Sequence, residues 1–161
     1  MDAKVMLCDY AEVSGGKLFI TGAGISLLAS GSPTAPFPVN ICLAILVSIP
    51  WTETDAPHVM TIELVSEASG AQQRVMLSDQ LPEGHDQGDM GMIVFIFSAS
   101  RMPTMVPGDE STMPVAVPLF GLPLPELGPY WFSVRIDGRE MDRASFRLVE
   151  RPPVPPGPQP M

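Results

Sequence analysis

Prolines punctuate this chain from Pro33 to Pro160, 19 of them in 161 residues, and the whole chain holds 14 glycines besides. Each Pro in a helix interior costs about 3 kcal/mol and each Gly about 1 kcal/mol relative to Ala, so a largely helical protein is excluded. Period-2 alternation of apolar and polar side chains recurs along the chain, while the 3.6-residue period hardly occurs. That contrast is the signature of an all-β protein.

The pattern divides the chain into short strands. Ala3, Val5 and Leu7 alternate with Lys4, Met6 and Cys8, and Ser14-Gly15-Gly16 turns the chain into KLFITGAGISLL, a first hairpin. Gly22-Ala23-Gly24 interrupts the second strand, as glycines do at a bulge or a bend onto another sheet. After a Pro-rich loop, Ile41, Leu43, Ile45, Val47 and Ile49 share one face, with Cys42, Ala44 and Leu46 on the other. A strand apolar on both faces is central or covered. His58 to Val65 and a shorter strand around Arg74 to Leu77 make a second hairpin; MIVFIFSAS reads as another buried strand. VAVPLF follows, with Pro118 placing it at an edge or a bulge. Finally Tyr130, Phe132, Val134 and Ile136 face one way, Asp137-Gly138 begins a turn, and Ala144, Phe146 and Leu148 return on the same face.

About eight or nine strands with turn signals roughly every ten residues and no long helix describe a two-layer antiparallel β-sandwich, immunoglobulin-like or C2/jelly-roll-like, with a closed barrel as the alternative. With 45% hydrophobic and 17% charged residues, the chain has enough apolar surface for one packed domain over residues 1–150. Residues 151–161 contribute prolines and almost no apolar side chains, and read as a disordered or polyproline II tail.

The opening MLCDYAEVSGGKLFITGAG, in which Leu-Cys-Asp-x-Ala leads into a glycine turn, resembles a family of small uncharacterised bacterial proteins, chiefly actinobacterial. The likeness extends through Trp51, VAVPL and GPYWFSVRIDGR. It implies the sandwich fold and a bacterial, intracellular setting. It implies no activity and no site residue.

A net charge of -9 is the opposite of the basic footprint that phosphate backbones require, so nucleic acid and anionic membrane are poor partners. The basic residues before position 131 are only Lys4, Lys17, Arg74 and Arg101. No export signal opens the chain, and its longest apolar run, Ile41 to Val47, is far short of the roughly 20 residues of a membrane span. The expected address is cytoplasmic. Cys8 and Cys42 are then expected as free, buried thiols, with a disulfide open to them only if their strands are neighbours.

Motifs that would specify chemistry fail on inspection. LFITGAGISLL resembles the start of a dinucleotide turn but lacks the third glycine and the βαβ unit. Met90, Met92, Met102, Met105 and Met113 lie near His85, a soft donor set of the type Cu(I) takes; gap-filling in a core is the ordinary use of Met. Glu53 with Asp55, Asp86 with Asp89, and Asp109 with Glu110 lie in three acidic stretches and are the candidates for Ca2+, which needs six to eight converging oxygens. Arg135 and Arg147 are expected on one outer face, Arg139 and Arg143 around the final turn, with Asp137, Glu140 and Asp142 as counter-charges. His58 and His85 are the only histidines, and no nucleophile elbow or HExxH is present.

No catalytic residue, metal or cofactor is therefore assigned. The expectation is a non-enzymatic sandwich acting through a protein partner or self-association, as a structural or accessory subunit, with Trp51, Phe120, Tyr130 and Trp131 as interface candidates. A C2-like module whose acidic loops take Ca2+, a sugar or a lipid head group is the alternative.

Overall fold

The computed structural model describes residues 1–77 and 91–151. Among them the chain forms eleven strands: β1 (Asp2–Cys8), β2 (Tyr10–Ser14), β3 (Lys17–Thr21), β4 (Leu27–Ser30), β5 (Phe37–Pro50), β6 (Pro57–Ser66), β7 (Gln73–Val75), β8 (Met92–Ser98), β9 (Glu110–Leu124), β10 (Gly128–Ile136) and β11 (Arg139–Glu150). A 3-10 turn, Trp51–Glu53, joins β5 to β6. One sheet has the order β1-β5-β9, and the other runs β4-β11-β10-β6, with β7 and β8 sharing the far edge of β6. The strand pairs are antiparallel except β4 with β11.

The sandwich follows from which side chains are apolar. Ile41, Leu43, Ile45, Val47 and Ile49 of β5 are buried without residual exposure and meet Met60, Ile62 and Leu64 of β6 and Phe132 and Val134 of β10 in one core. Behind them Cys8, Cys42 and Ala44 need cover too, and the β2–β3 ribbon supplies it, packing Ala11, Leu18 and Ile20 over them. The two expected layers thus carry a third over part of one sheet.

The first hairpin differs from the sequence reading. Ala3, Val5 and Leu7 pair with β5, and the hairpin is β2 with β3, closed by Gly15 and Gly16 at positive φ of 56° and 72°. At Gly22 the chain leaves the ribbon and crosses to β4 in the other sheet; a Cβ at Gly22 would strike the Asp9 carboxylate. These splits raise the strand count to eleven. VAVPLF is the middle of the 15-residue β9. Three prolines, Pro114, Pro118 and Pro123, fit there because β9 is an edge strand, where a missing N–H costs no ladder bond. The bulge lies beside Pro118: Phe120 and Gly121 together oppose Asn40, whose Oδ1 accepts the Gly121 N–H at 2.8 Å.

The C-terminal hairpin has the expected register, Tyr130 opposite Phe146 and Phe132 opposite Ala144. Its turn is tighter than expected, with Ile136 already opposite Arg139, so Arg139 and Arg143 lie in β11 and not around the turn. The two sheets approach where β1 meets β11, but the Val5 N–H donates to Oδ2 of Asp142 at 3.0 Å and no backbone ladder joins them. The closed barrel is therefore not formed. The tail from Pro152 onward, and with it the loop bearing Asp79, Glu83, His85, Asp86, Asp89 and Met90, lies outside the described residues.

Candidate functional site

MIVFIFS, read from its composition as buried, is β8, and β8 pairs only with β6 among the described residues. It is an edge strand. Val94 and Ile96 stand on its outer face 51% and 78% exposed, beside Val59 of β6, which is directly opposite Ile96. On the inner face Ile93, Phe95 and Phe97 are only half-buried against the core. Period-2 reading cannot separate a central strand from such an edge, because both are apolar on two faces.

The other edges of the two main sheets are each guarded. β9 carries its prolines, the β1 edge is held by Asp142, and β4 and β7 have only four and three residues. Strand β8 has seven residues, no Pro and no charge. The charge of Glu63, opposite Met92, is already neutralised: it accepts from Arg74 Nη2 at 2.6 Å.

The acidic candidates meet at one end of the sandwich. The Trp51 N–H donates to the Asp109 carbonyl at 2.9 Å, and Asp55, at a φ of 61°, donates its N–H to Ala99. Three of the four carboxylates there have internal partners. Glu53 binds the Met1 ammonium at 3.0 Å, Asp55 accepts the Arg101 N–H at 2.9 Å, and Asp109 accepts the Val106 N–H at 2.8 Å. Glu110 begins β9 exposed, opposite Pro50. No three His, Cys, Asp or Glu side chains converge on one point among the described residues. Asp86 and Asp89 lie outside them.

The aromatic candidates have separate fates. Arg101 lies 3.9 Å above the Trp51 ring while its Nη2 donates to the Trp51 carbonyl and its Nε to Thr54 Oγ1, so Trp51 is half-buried under a guanidinium. Tyr130 is core: its hydroxyl donates 2.5 Å to the carbonyl of Glu126, four residues back, a tyrosine-corner geometry, and its ring stacks on Phe146. Trp131 points to the opposite face, yet it is buried, with the Arg143 guanidinium 5.4 Å from its ring. Arg143 is itself held by Glu140 at 2.7 Å. Phe120, at the bulge, is 66% exposed.

His58, the one described histidine, is buried. Its Nδ1 faces Oδ2 of Asp137 at 2.7 Å and its Nε2 faces the carbonyl of Glu53 at 2.9 Å. Both nitrogens face acceptors, an arrangement that favours the protonated ring, and the Asp137 bond first, then the Glu53 carbonyl, raise its pKa above the usual value. A ring with neither nitrogen open offers no lone pair to a substrate proton. Clefts of about 190 Å³ beside Arg74 and Glu126, and of about 210 Å³ beside Met1 and Asp137, are smaller than the roughly 300 Å³ at which small-molecule pockets begin.

No helix among the described residues is long and apolar enough to cross a membrane. No curated protein and no solved structure matches the sequence. Residues 4–149, from within β1 to within β11, match one family description, and the chain belongs to that family, the family of unknown function DUF6941.

Proposed function

We propose that this protein acts by self-association, its β8 edge pairing with β8 of a second copy, as a non-enzymatic structural or accessory subunit. The observation that carries this reading is the edge itself: seven uncharged residues, apolar on both faces and unpaired on one side among the described residues. Long apolar edges of this type are templates for another strand.

The second copy is favoured because β8 is complementary to itself. A two-fold axis through Phe95 sets Val94 against Ile96 and Met92 against Ser98, so both exposed aliphatic side chains gain a cross-strand neighbour. It also brings Phe95 against Phe95 and Ile93 against Phe97, covering the half-buried inner face. Chains of net charge -9 repel one another, and an uncharged strand is where they approach with least opposition. A bacterial, intracellular setting, the one the opening motif implies, belongs to the same reading, with the cytoplasm as the expected compartment.

Sedimentation equilibrium tests it. The wild type is expected to approach twice its 17.3 kDa chain mass as concentration rises through the micromolar range, and Ile96→Lys to stay at the chain mass with an unchanged circular dichroism spectrum. A monomeric wild type, or a dimer indifferent to Ile96→Lys, overturns it.

A further inference from the structure

The two cysteines are direct cross-strand partners. Cys8 of β1 lies opposite Cys42 of β5 in the antiparallel register; both are free and fully buried. The Cys8 thiol donates to the Cys42 carbonyl at 3.3 Å, and the Cys42 thiol leans toward the Ala11 carbonyl at 3.9 Å. Burial, and then the neighbouring Cys42, push the Cys8 thiol up to about 11, so at rest it is neither exposed nor ionised.

Residues directly opposite in an antiparallel pair have Cα atoms about 4.5 to 5.5 Å apart, inside the window a disulfide needs. A bond between Cys8 and Cys42 therefore forms without moving a strand.

What separates the pair from solvent is the β2–β3 ribbon. It rests on the sheet through Ala11, Leu18 and Ile20, while Tyr10 and Phe19 stay exposed on its far side. A two-stranded ribbon is marginal by itself, and one held by few apolar contacts opens locally at small cost.

We propose that Cys8 and Cys42 are a reversible dithiol–disulfide pair, covered by the β2–β3 ribbon and oxidised by a hydroperoxide when the ribbon lifts. In the first step a thiol uncovered by the lifted ribbon sheds its proton, the resulting thiolate attacks an oxygen of hydrogen peroxide, the O–O bond breaks, and the leaving hydroxide takes up that proton, so that a sulfenic acid and one water form. In the second the other thiol attacks that sulfur, the S–S bond forms, the S–O bond breaks and a second water leaves. The two thiols together lose two electrons and two protons, and hydrogen peroxide gains them.

The full-length protein is treated with hydrogen peroxide and followed by intact mass and by alkylation after unfolding. The expected product is a monomeric chain lighter by two hydrogens, closed to alkylation and restored by dithiothreitol. Cys42→Ser should instead stop at a dimedone-reactive sulfenic acid on Cys8. Ile20→Ala, or Leu18→Ala should Ile20→Ala fail to fold, loosens the ribbon and should speed disulfide formation about tenfold. Chain-to-chain disulfides, sulfinic acid in place of the disulfide, absence of any oxidation, or a rate indifferent to the ribbon substitutions would each overturn the proposal.

Discussion

The imidazole of His58 and the carboxylate of Asp137, 79 residues apart in sequence, meet at 2.7 Å and tie the start of β6 to the turn between β10 and β11. The second oxygen of Asp137 accepts the Val59 N–H at 2.9 Å, so one side chain at positive φ holds both the ring and the backbone beside it. This clamp should make stability depend on pH. The folded pKa of His58 lies above its usual 6.5, so its contribution is complete below about pH 6.5 and is lost as pH rises through the raised value. The Val59 N–H first, and His58 second, lower Asp137 below 3.8, so its contribution is complete above that pH and is lost as pH falls through the lowered value. The Tm should therefore be highest between about pH 4 and about pH 6.5 and fall as pH rises through the raised His58 value, with His58→Gln removing the alkaline fall. A wild-type Tm that is flat over the alkaline range, or a variant that keeps the same fall, contradicts the clamp.

The core of β5 gives a prediction of magnitude. Leu43 has no exposed surface and sits in mid-strand between β1 and β9, so Leu43→Ala should cost about 2 to 5 kcal/mol in urea denaturation. A loss below about 1 kcal/mol would make β5 peripheral.

Tyr130→Phe keeps the ring and removes only the hydroxyl, which donates to the Glu126 carbonyl and accepts the Glu126 N–H at 3.3 Å. Part-buried backbone groups left without that partner should cost about 1 to 3 kcal/mol, measured by the same denaturation. Stability within a few tenths of a kcal/mol of wild type would mean that the corner holds nothing.

The strands were largely legible in the sequence because the apolar residues repeat every second position and that period needs no knowledge of neighbours. The doubly apolar β5 read as central and is central. The same rule misplaced β8: its pattern is as apolar as that of β5, and only strand pairing tells an edge from a centre. The aromatic candidates were separated by contacts that side-chain alternation does not encode. Arg101, far from Trp51 in sequence, caps it, and the hydroxyl of Tyr130 turns back into the chain, whereas Phe120 is left out by a bulge. Likewise Cys8 and Cys42 each read as a buried thiol, and their pairing became visible only through the β1–β5 register.

Residues 152–161 should be dispensable for folding, since the family match ends at residue 149 and six prolines leave the segment few groups to pair. A chain ending at Arg151 should melt within about 2 °C of the full-length protein in calorimetry. A larger drop would show that the tail packs on the sandwich.

Hydrogen exchange, followed peptide by peptide over a concentration series, measures the pairing of β8 without altering a residue. Association through this edge should slow exchange of the Met92–Ser98 amides as concentration rises and leave the amides of β5 and β10 unchanged, because those strands are already paired on both sides. Exchange in Met92–Ser98 that is independent of concentration, in a sample whose mass shows a dimer, would place the contact elsewhere and contradict the account.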